Sequence, residues 1–380
     1  MENTIVETIT PSLCIPMVQA MVEDRAPVLL VGPPGVGKTD LTHTVKALTG
    51  YDMIVSHPVV MDPTDVKGLG FADWEELVTK FLPFGDLHKA MKATTPTIWF
   101  LDDLGQAPAM VQAAFMQLIL GRRIGEHELP DCVTFVAATN RRQDRAGVKE
   151  FLNPLKSRMV TILHVMTDVD EWCAWAIKND VPPLIIALIR SKGVDMLFED
   201  NTSADIVNAR SPRTWAHAGR VYKNNGYTKY IPEDKFINLY EKDASGKLVR
   251  RKVNARRHAL ERALAGAVGP IGMREVMTLH DFRDQLPDPN AALSDPTSVK
   301  LPQMPDILWA FAMTMARMVE PATFGCFLTL VKRINSEASR GEIAGLMLQD
   351  AVAVKPELQE QPEFTTQVAH EDGELHELMG

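Results

Sequence analysis

Apolar runs and amphipathic stretches alternate along the first 165 residues. Short apolar runs bounded by turn-forming residues read as strands buried on both faces. Stretches with apolar residues three and four apart read as helices. Residues 27–31 (PVLLV), 52–56 (DMIVS), 97–101 (TIWFL), 133–138 (VTFVAA) and 160–165 (VTILHV) predict five strands. Lys38–Leu48 and Pro108–Leu120 predict helices between them. The second opens on a proline suited to a first helical turn and repeats apolar residues at Met110, Val111, Ala114, Phe115, Leu118 and Ile119. Strands separated by helices imply parallel pairing, hence an α/β fold with a sheet covered on both faces.

Beyond Val165 the pattern turns helical. Thr167 and Asp170 have capping-box spacing and predict a helix holding Trp172, Ala176 and Ile177. Pro182–Lys192 and Pro212–Tyr222 predict further helices. Residues 224–256 are polar and rich in Lys and Arg, and turn signals at Asn225-Gly226 and Ser245-Gly246 predict a hairpin-like insertion. Helices resume at Arg256–Ala267, Pro305–Val319 and Thr323–Asn335, with a proline-rich linker at 286–306. The expected organisation is an α/β core (1–165), a helical lid (166–285) carrying the insertion at about 224–256, a C-terminal helical extension (286–355) and an acidic tail (356–380). There is no internal repeat.

Charge sharpens this picture. The formal net charge is -9, and the tail alone carries seven acidic residues and no Lys or Arg. The tail reads as a solvated end, or alternatively as a docking segment for a basic partner. The acidic balance argues against a generally basic nucleic-acid binder. Four cysteines (Cys14, Cys132, Cys173, Cys326) stand far apart without metal-ligand spacing, which fits a reducing compartment. The first residues, MENTIVETIT, lack a basic-then-apolar leader, and no run of about 18 apolar residues is present. A cytoplasmic protein without a membrane span is expected.

The chemistry concentrates in two places. Residues 32–39 (GPPGVGKT) follow the first strand and open a helix. This is the phosphate-loop pattern: Gly32, Gly35 and Gly37 let the backbone wrap so that its N–H groups face an anion. The helix N-terminus adds partial positive charge. Lys38 would reach the β- and γ-phosphates of a nucleotide, and Thr39 would ligate Mg2+. Pro33, Pro34, Val36 and Asp40 complete the cofactor-binding segment. The second place is the end of the third strand, where TIWFL runs into Asp102 and Asp103. The carboxyl edge of an open α/β sheet is where ligands bind. Asp102 would hold the magnesium, and Asp103 would orient or deprotonate the attacking water.

With these residues in order, the chain resembles AAA+ ATPases, and within them the MoxR-type group, over about residues 10–225. The resemblance implies a five-stranded parallel sheet of order 5-1-4-3-2 with a helical lid, assembled as a ring, usually of six. The segment Leu104–Pro108 and the helix after it look like the stretch following the second nucleotide motif, and Arg122–Pro130 looks like the hairpin before the sensor strand. Asn140, ending AATN, would be the first sensor, touching the γ-phosphate or the attacking water. Arg158 would be the arginine finger. Arg213, in Ser-Pro-Arg, would be the second sensor. Judged singly, Asn140 also reads as a turn residue, Arg158 as half of a surface ion pair and Arg213 as a snorkelling side chain. Arg141, Arg142 and Arg145 follow the sensor strand and would face a neighbouring subunit or solvent. Relatives usually carry Asp-Glu where this chain has Asp102-Asp103. The shorter acid implies slow hydrolysis or a rebuilt site.

Two other stretches remain open. Residues 67–71 (KGLGF) lie where AAA+ rings place segments facing the pore; Leu69 and Phe71 would grip a polypeptide there, or the phenylalanine is simply buried. Lys247–Arg257 has six basic residues in eleven and no interleaved aromatics, so it reads as a solvated hairpin or as a phosphate-contacting strip. The leading reading is a MoxR-type ATPase that binds and hydrolyses Mg-ATP to remodel a partner protein, expected to bear a von Willebrand factor A domain. The alternatives are a nucleic-acid motor or loader and a slowly hydrolysing nucleotide switch.

Overall fold

A computed structural model describes residues 7–144, 151–199, 206–242, 246–337, 340–370 and 373–378. The chain divides into two compact units, Met1–Asp168 and Val169–Gly380.

The first unit is built on a parallel sheet of β1 (Val28–Val31), β2 (Asp52–Ser56), β3 (Thr97–Leu101), β4 (Val133–Thr139) and β5 (Thr161–His164). The order is β2-β3-β4-β1-β5, the arrangement that the resemblance to AAA+ ATPases implied. Period-2 alternation sends successive side chains to opposite faces. Val28, Leu30, Ile98, Phe100, Val136 and Ala138 pack beneath α1 (Pro11–Glu23) and α2 (Lys38–Thr49). Leu29, Trp99, Leu101, Phe135 and Ala137 pack against α3 (Gly85–Met91) and α4 (Ala109–Gly121) through Leu87, Val111, Phe115 and Leu118. Every residue of β3 and β4 is buried, which is why both read as unbroken apolar runs. Trp99 stacks on Phe135 at 5.4 Å and meets Phe115 edge-on at 5.8 Å. Its indole N–H donates to Ser56 Oγ at 2.9 Å, so no polar atom of the ring is stranded.

Two antiparallel hairpins project from this unit: Leu69–Asp73 with Val78–Leu82, and Arg123–Ile124 with His127–Glu128. The first is exposed along both strands, with Leu69 60%, Phe71 58% and Trp74 80% accessible. Phe71 is therefore not a buried loop residue.

The second unit is helical. Its main elements are α5 (Val169–Lys178), α6 (Pro183–Lys192), α7 (Pro212–Lys223), α8 (Ala255–Asp281), α9 (Pro305–Met318), α10 (Phe324–Glu337) and α11 (Gly341–Val354). α8 kinks where Gly269 adopts φ 74° just before Pro270. One apolar cluster runs from Trp172 to Leu375, so the residues expected as lid and as extension share a core. α9 is buried nearly all round and packs against α6 and α11. Inside this core Arg190 forms a bidentate ion pair with Asp350, with side chains only 4% and 8% exposed.

Two segments depart from their expected character. The proline-rich stretch 286–306 contains a short helix, Pro289–Ser294, capped by Asp288, and buries Ala292, Leu293 and Leu301. The acidic tail, read as a solvated end, is instead pinned to the core by Leu358, Val368 and Leu375, each no more than 2% exposed. Phe364 and Leu378, partly buried, pack against the same cluster. Between α7 and α8 stands the insertion, a two-stranded hairpin of β6 (Phe236–Lys242) and β7 (Leu248–Asn254). Ser245, expected in its turn, lies outside the described residues. No helix among the described residues is long and apolar enough to cross a membrane.

Candidate nucleotide site

Parallel pairing brings the carboxyl ends of the strands to one edge. Val31 is level with Thr139 on one side and His164 on the other. The loop after β1 therefore opens beside Asn140 and Val165.

That loop needs glycine on two grounds. Gly35 and Gly37 adopt φ 79° and 98°, in the left-handed region. Gly32 is sterically constrained instead: an added Cβ would stand 2.6 Å from the Val165 carbonyl oxygen. Thr167, expected at a helix cap, donates its hydroxyl to Val36 O at 3.1 Å and braces the loop. Pro33 and Val36 are buried and Pro34 is exposed. Asp40 is exposed in the first turn of α2, where a carboxylate complements the helix dipole.

Lys38, the first residue of α2, is 7% exposed. Its ammonium donates to Gly32 O at 2.9 Å, Pro33 O at 3.1 Å and Asn140 Oδ1 at 2.9 Å. Thr39 Oγ1 donates to Asp102 Oδ2 at 3.0 Å. Asp103 sits at φ 59°, a left-handed conformation that aspartate tolerates better than most residues. Its Oδ1 accepts from Gln106 Nε2 at 2.8 Å and faces Asn140 Nδ2 at 3.4 Å. Asn140 thus stands between the cation of Lys38 and the carboxylate of Asp103. The sequence-predicted residues Gly32 to Thr39, Asp102, Asp103 and Asn140 form one cluster.

Gln106 belongs to this cluster although the sequence reading gave it no role. It is 8% exposed, and its Oε1 lies 3.5 Å from Thr139 Oγ1. The available signal was its spacing: three residues after Asp103, one 3-10 turn returns the side chain to the acid. Gly105 makes that turn fit, because a Cβ there would lie 2.0 Å from Thr139 Oγ1.

The arginines are placed differently. Arg158 folds back on its own segment, donating Nη1 to Pro154 O at 2.6 Å, and its Nε is buried without a hydrogen-bond partner among the described residues. Arg213 is exposed in the first turn of α7, in the second unit. Arg141 forks onto Asp144, with Nη2 to Oδ1 at 2.6 Å and Nε to Oδ1 at 2.9 Å. Arg142 is exposed, and Arg145 lies outside the described residues.

Beside Asn140 lies an open cleft of about 550 Å3, floored by Leu29, Val31 and Ile162 and rimmed by Arg142, Lys156 and His164. Burial holds the His164 imidazole below its usual range, with the positive charge of Arg141 adding to the effect. Both effects favour its neutral form.

The donor set suits a nucleotide with magnesium. Mg2+ prefers hard oxygen ligands and usually takes one or two from protein, the rest from phosphates and water. Thr39 Oγ1 and Asp102 Oδ2 are such a pair. No group of three or more His, Cys, Asp or Glu side chains suited to a metal occurs among the described residues, so a cation here would depend on the bound phosphates.

Residues 27–159 match the family described as AAA domain (dynein-related subfamily). No curated protein matches the chain at a significant level. Among solved structures, the Holliday junction branch migration motor RuvB of Thermotoga maritima is 17% identical, with 75% of this chain and 74% of that one covered and a TM-score of 0.33. NtrX of Brucella abortus in complex with ADP is 13% identical, with 72% and 68% covered and a TM-score of 0.39. Likenesses this weak carry no functional argument. The segment match, the sheet order and the loop geometry do: residues 27–159 are an AAA domain of the AAA+ ATPase superfamily.

Proposed function

We propose that this chain is a MoxR-type AAA+ ATPase that hydrolyses Mg-ATP at the interfaces of a homo-oligomeric ring, of six subunits, to remodel a partner protein complex. The observation carrying this reading is the single cluster in which Lys38, the Thr39–Asp102 pair and the Asp103–Asn140 pair converge. In it, the glycine loop and Lys38 hold the triphosphate. Thr39 and Asp102 hold magnesium, which supplies charge neutralisation on the phosphate oxygens when bound. Asp103 accepts a proton from the attacking water, or orients it. Asn140 fixes that water against the terminal phosphate.

Arg158 acts in the next subunit. Among the described residues its guanidinium is bonded to a neighbouring carbonyl alone. Assembly redirects it to the adjacent γ-phosphate, where such a group is worth about 10³–10⁵ in rate. Arg213 adds a second positive group from the helical unit. The exposed Leu69 and Phe71 contact the polypeptide being remodelled. The partner bears a von Willebrand factor A domain, and the protein works in the cytoplasm. The decisive experiment is the ATPase rate of the full chain with and without magnesium, alongside Lys38→Ala. Magnesium-dependent turnover lost in Lys38→Ala supports the reading. Equal rates in the two proteins overturn it.

A further inference from the structure

The basic strip at 247–257 takes on a different character once its strand partner is identified. Cross-strand register places Tyr240 opposite Arg250, Asn238 opposite Lys252, Phe236 opposite Asn254 and Lys242 opposite Leu248. These residues share one face of the β6–β7 hairpin. Along β6 that face is the more exposed one: Ile237 and Leu239, on the other, are half-buried, whereas Phe236 is 52% and Tyr240 62% exposed; along β7 Val249 and Arg251, on the other face, are exposed as well. The aromatic groups absent from the strip itself are supplied by the antiparallel neighbour. They interleave with cations in space, not in sequence.

The cations divide into two sets. Arg256 pairs with Glu233, and Arg257 pairs with Glu261 and Asp281, so both are tied to structure. Arg250 and Arg251 have no carboxylate partner among the described residues. Lys252 Nζ lies 4.8 Å from the centroid of the Phe236 ring. The approach to the hairpin repeats the motif, with Lys229 Nζ 5.5 Å from the Tyr230 centroid and Tyr230 89% exposed. Three of the chain's five tyrosines stand between 227 and 240, all exposed, a concentration that core packing does not require. From 227 to 257 there are nine Lys and Arg against four Asp and Glu, in a chain whose net charge is -9.

We propose that this face of the hairpin is a binding site for single-stranded nucleic acid, with Phe236 and Tyr240 stacking on bases and Lys242, Arg250 and Lys252 facing phosphates. Charge alone would suit any polyanion. The exposed rings select the single strand, because unpaired bases offer faces for stacking and a duplex or an acidic peptide does not. Along β6 the two rings are four residues apart, about 13 Å at the usual rise per residue. A stretched strand can therefore lay one base on each ring while its backbone passes the cations.

The inference is independent of the ATPase reading, and its test needs no nucleotide. Binding of the full chain to a labelled oligothymidylate would be followed by fluorescence anisotropy across a salt series. The unlabelled competitors are the same oligomer, a duplex of equal length and poly-glutamate. Tyr240→Ala should weaken binding by roughly 5- to 150-fold, the range of one lost base stack. Tyr240→Phe should restore it. Arg250→Gln with Lys252→Gln should flatten the slope of log affinity against log salt by about 0.7 per contact. Lys38→Ala should bind as wild type. No binding by a chain whose circular dichroism shows it folded would overturn the proposal. So would affinity unmoved by Tyr240→Ala, or equal competition by duplex or poly-glutamate, which would assign the face to polyanions in general.

Discussion

Gln106 holds Asp103: its side-chain amide donates to Asp103 Oδ1 at 2.8 Å, from a turn that Gly105 alone lets close against Thr139. One carboxylate oxygen is thereby spoken for, and the other is left for chemistry. A hydrogen bond to a charged group contributes about 1.5–3 kcal/mol. Gln106→Ala should therefore lower kcat by roughly 10- to 150-fold, the same energy expressed as a rate. Nucleotide affinity, measured by titration with a fluorescent ATP analogue, should stay within about twofold, because no loop contact is removed. A parallel fall in affinity would mean that Gln106 supports the loop rather than the acid.

The backbone gives a physical reason for aspartate at 103. At φ 59° aspartate is tolerated, whereas most side chains lose about 1–2 kcal/mol per residue. Asp103→Glu is expected to melt at a lower temperature and to turn over no faster than wild type, despite its longer reach. Turnover above wild type would show that reach, not backbone conformation, limits this site.

Assembly offers a test of Arg158. Arg158→Ala should keep nucleotide binding and lose turnover. Mixed with Lys38→Ala, it should regain activity at interfaces that join an intact Lys38 to an intact Arg158. Specific activity of the wild type should rise with protein concentration. Concentration-independent rates, without rescue between subunits that demonstrably exchange, would place catalysis within one chain.

In the helical unit, Asp350→Ala would leave Arg190 charged, buried and uncompensated. Breaking a buried pair in this way typically costs 3–5 kcal/mol, or about that here. Urea unfolding monitored by tryptophan fluorescence should shift its midpoint accordingly. An unchanged midpoint would mean that water reaches Arg190.

Sequence pattern carried the sheet because each strand is a local object. The run from Thr97 to Leu101 states its own burial, whereas the sheet order was implied only by the resemblance to AAA+ ATPases. Lys38 and Asp102 were legible because each ends a strand or opens a helix at that edge; Asn140, by itself a turn residue, was singled out only by the resemblance. Gln106 offered only its spacing from Asp103, and that spacing has meaning only once the turn at Asp103 is known. The tail reads as solvated because its few apolar residues, Leu358, Phe364, Val368, Leu375 and Leu378, are spread among acids and polar residues. It packs back on the helix directly before it, Gly341–Val354. The aromatic face of β6–β7 was hidden for another reason: register between two strands determines which rings meet which cations, and neither strand encodes it alone.

Gly32 lies so close to the carbonyl of Val165 that nothing larger fits between them, and Thr167 grips the loop at Val36. The last residues of the first unit are therefore fastened to the loop that would cradle phosphate. A side chain added at position 32 would press on the carbonyl of Val165, and loss of the Thr167 hydroxyl would free the loop at Val36. The end of the first unit and the loop are shaped by the same packing.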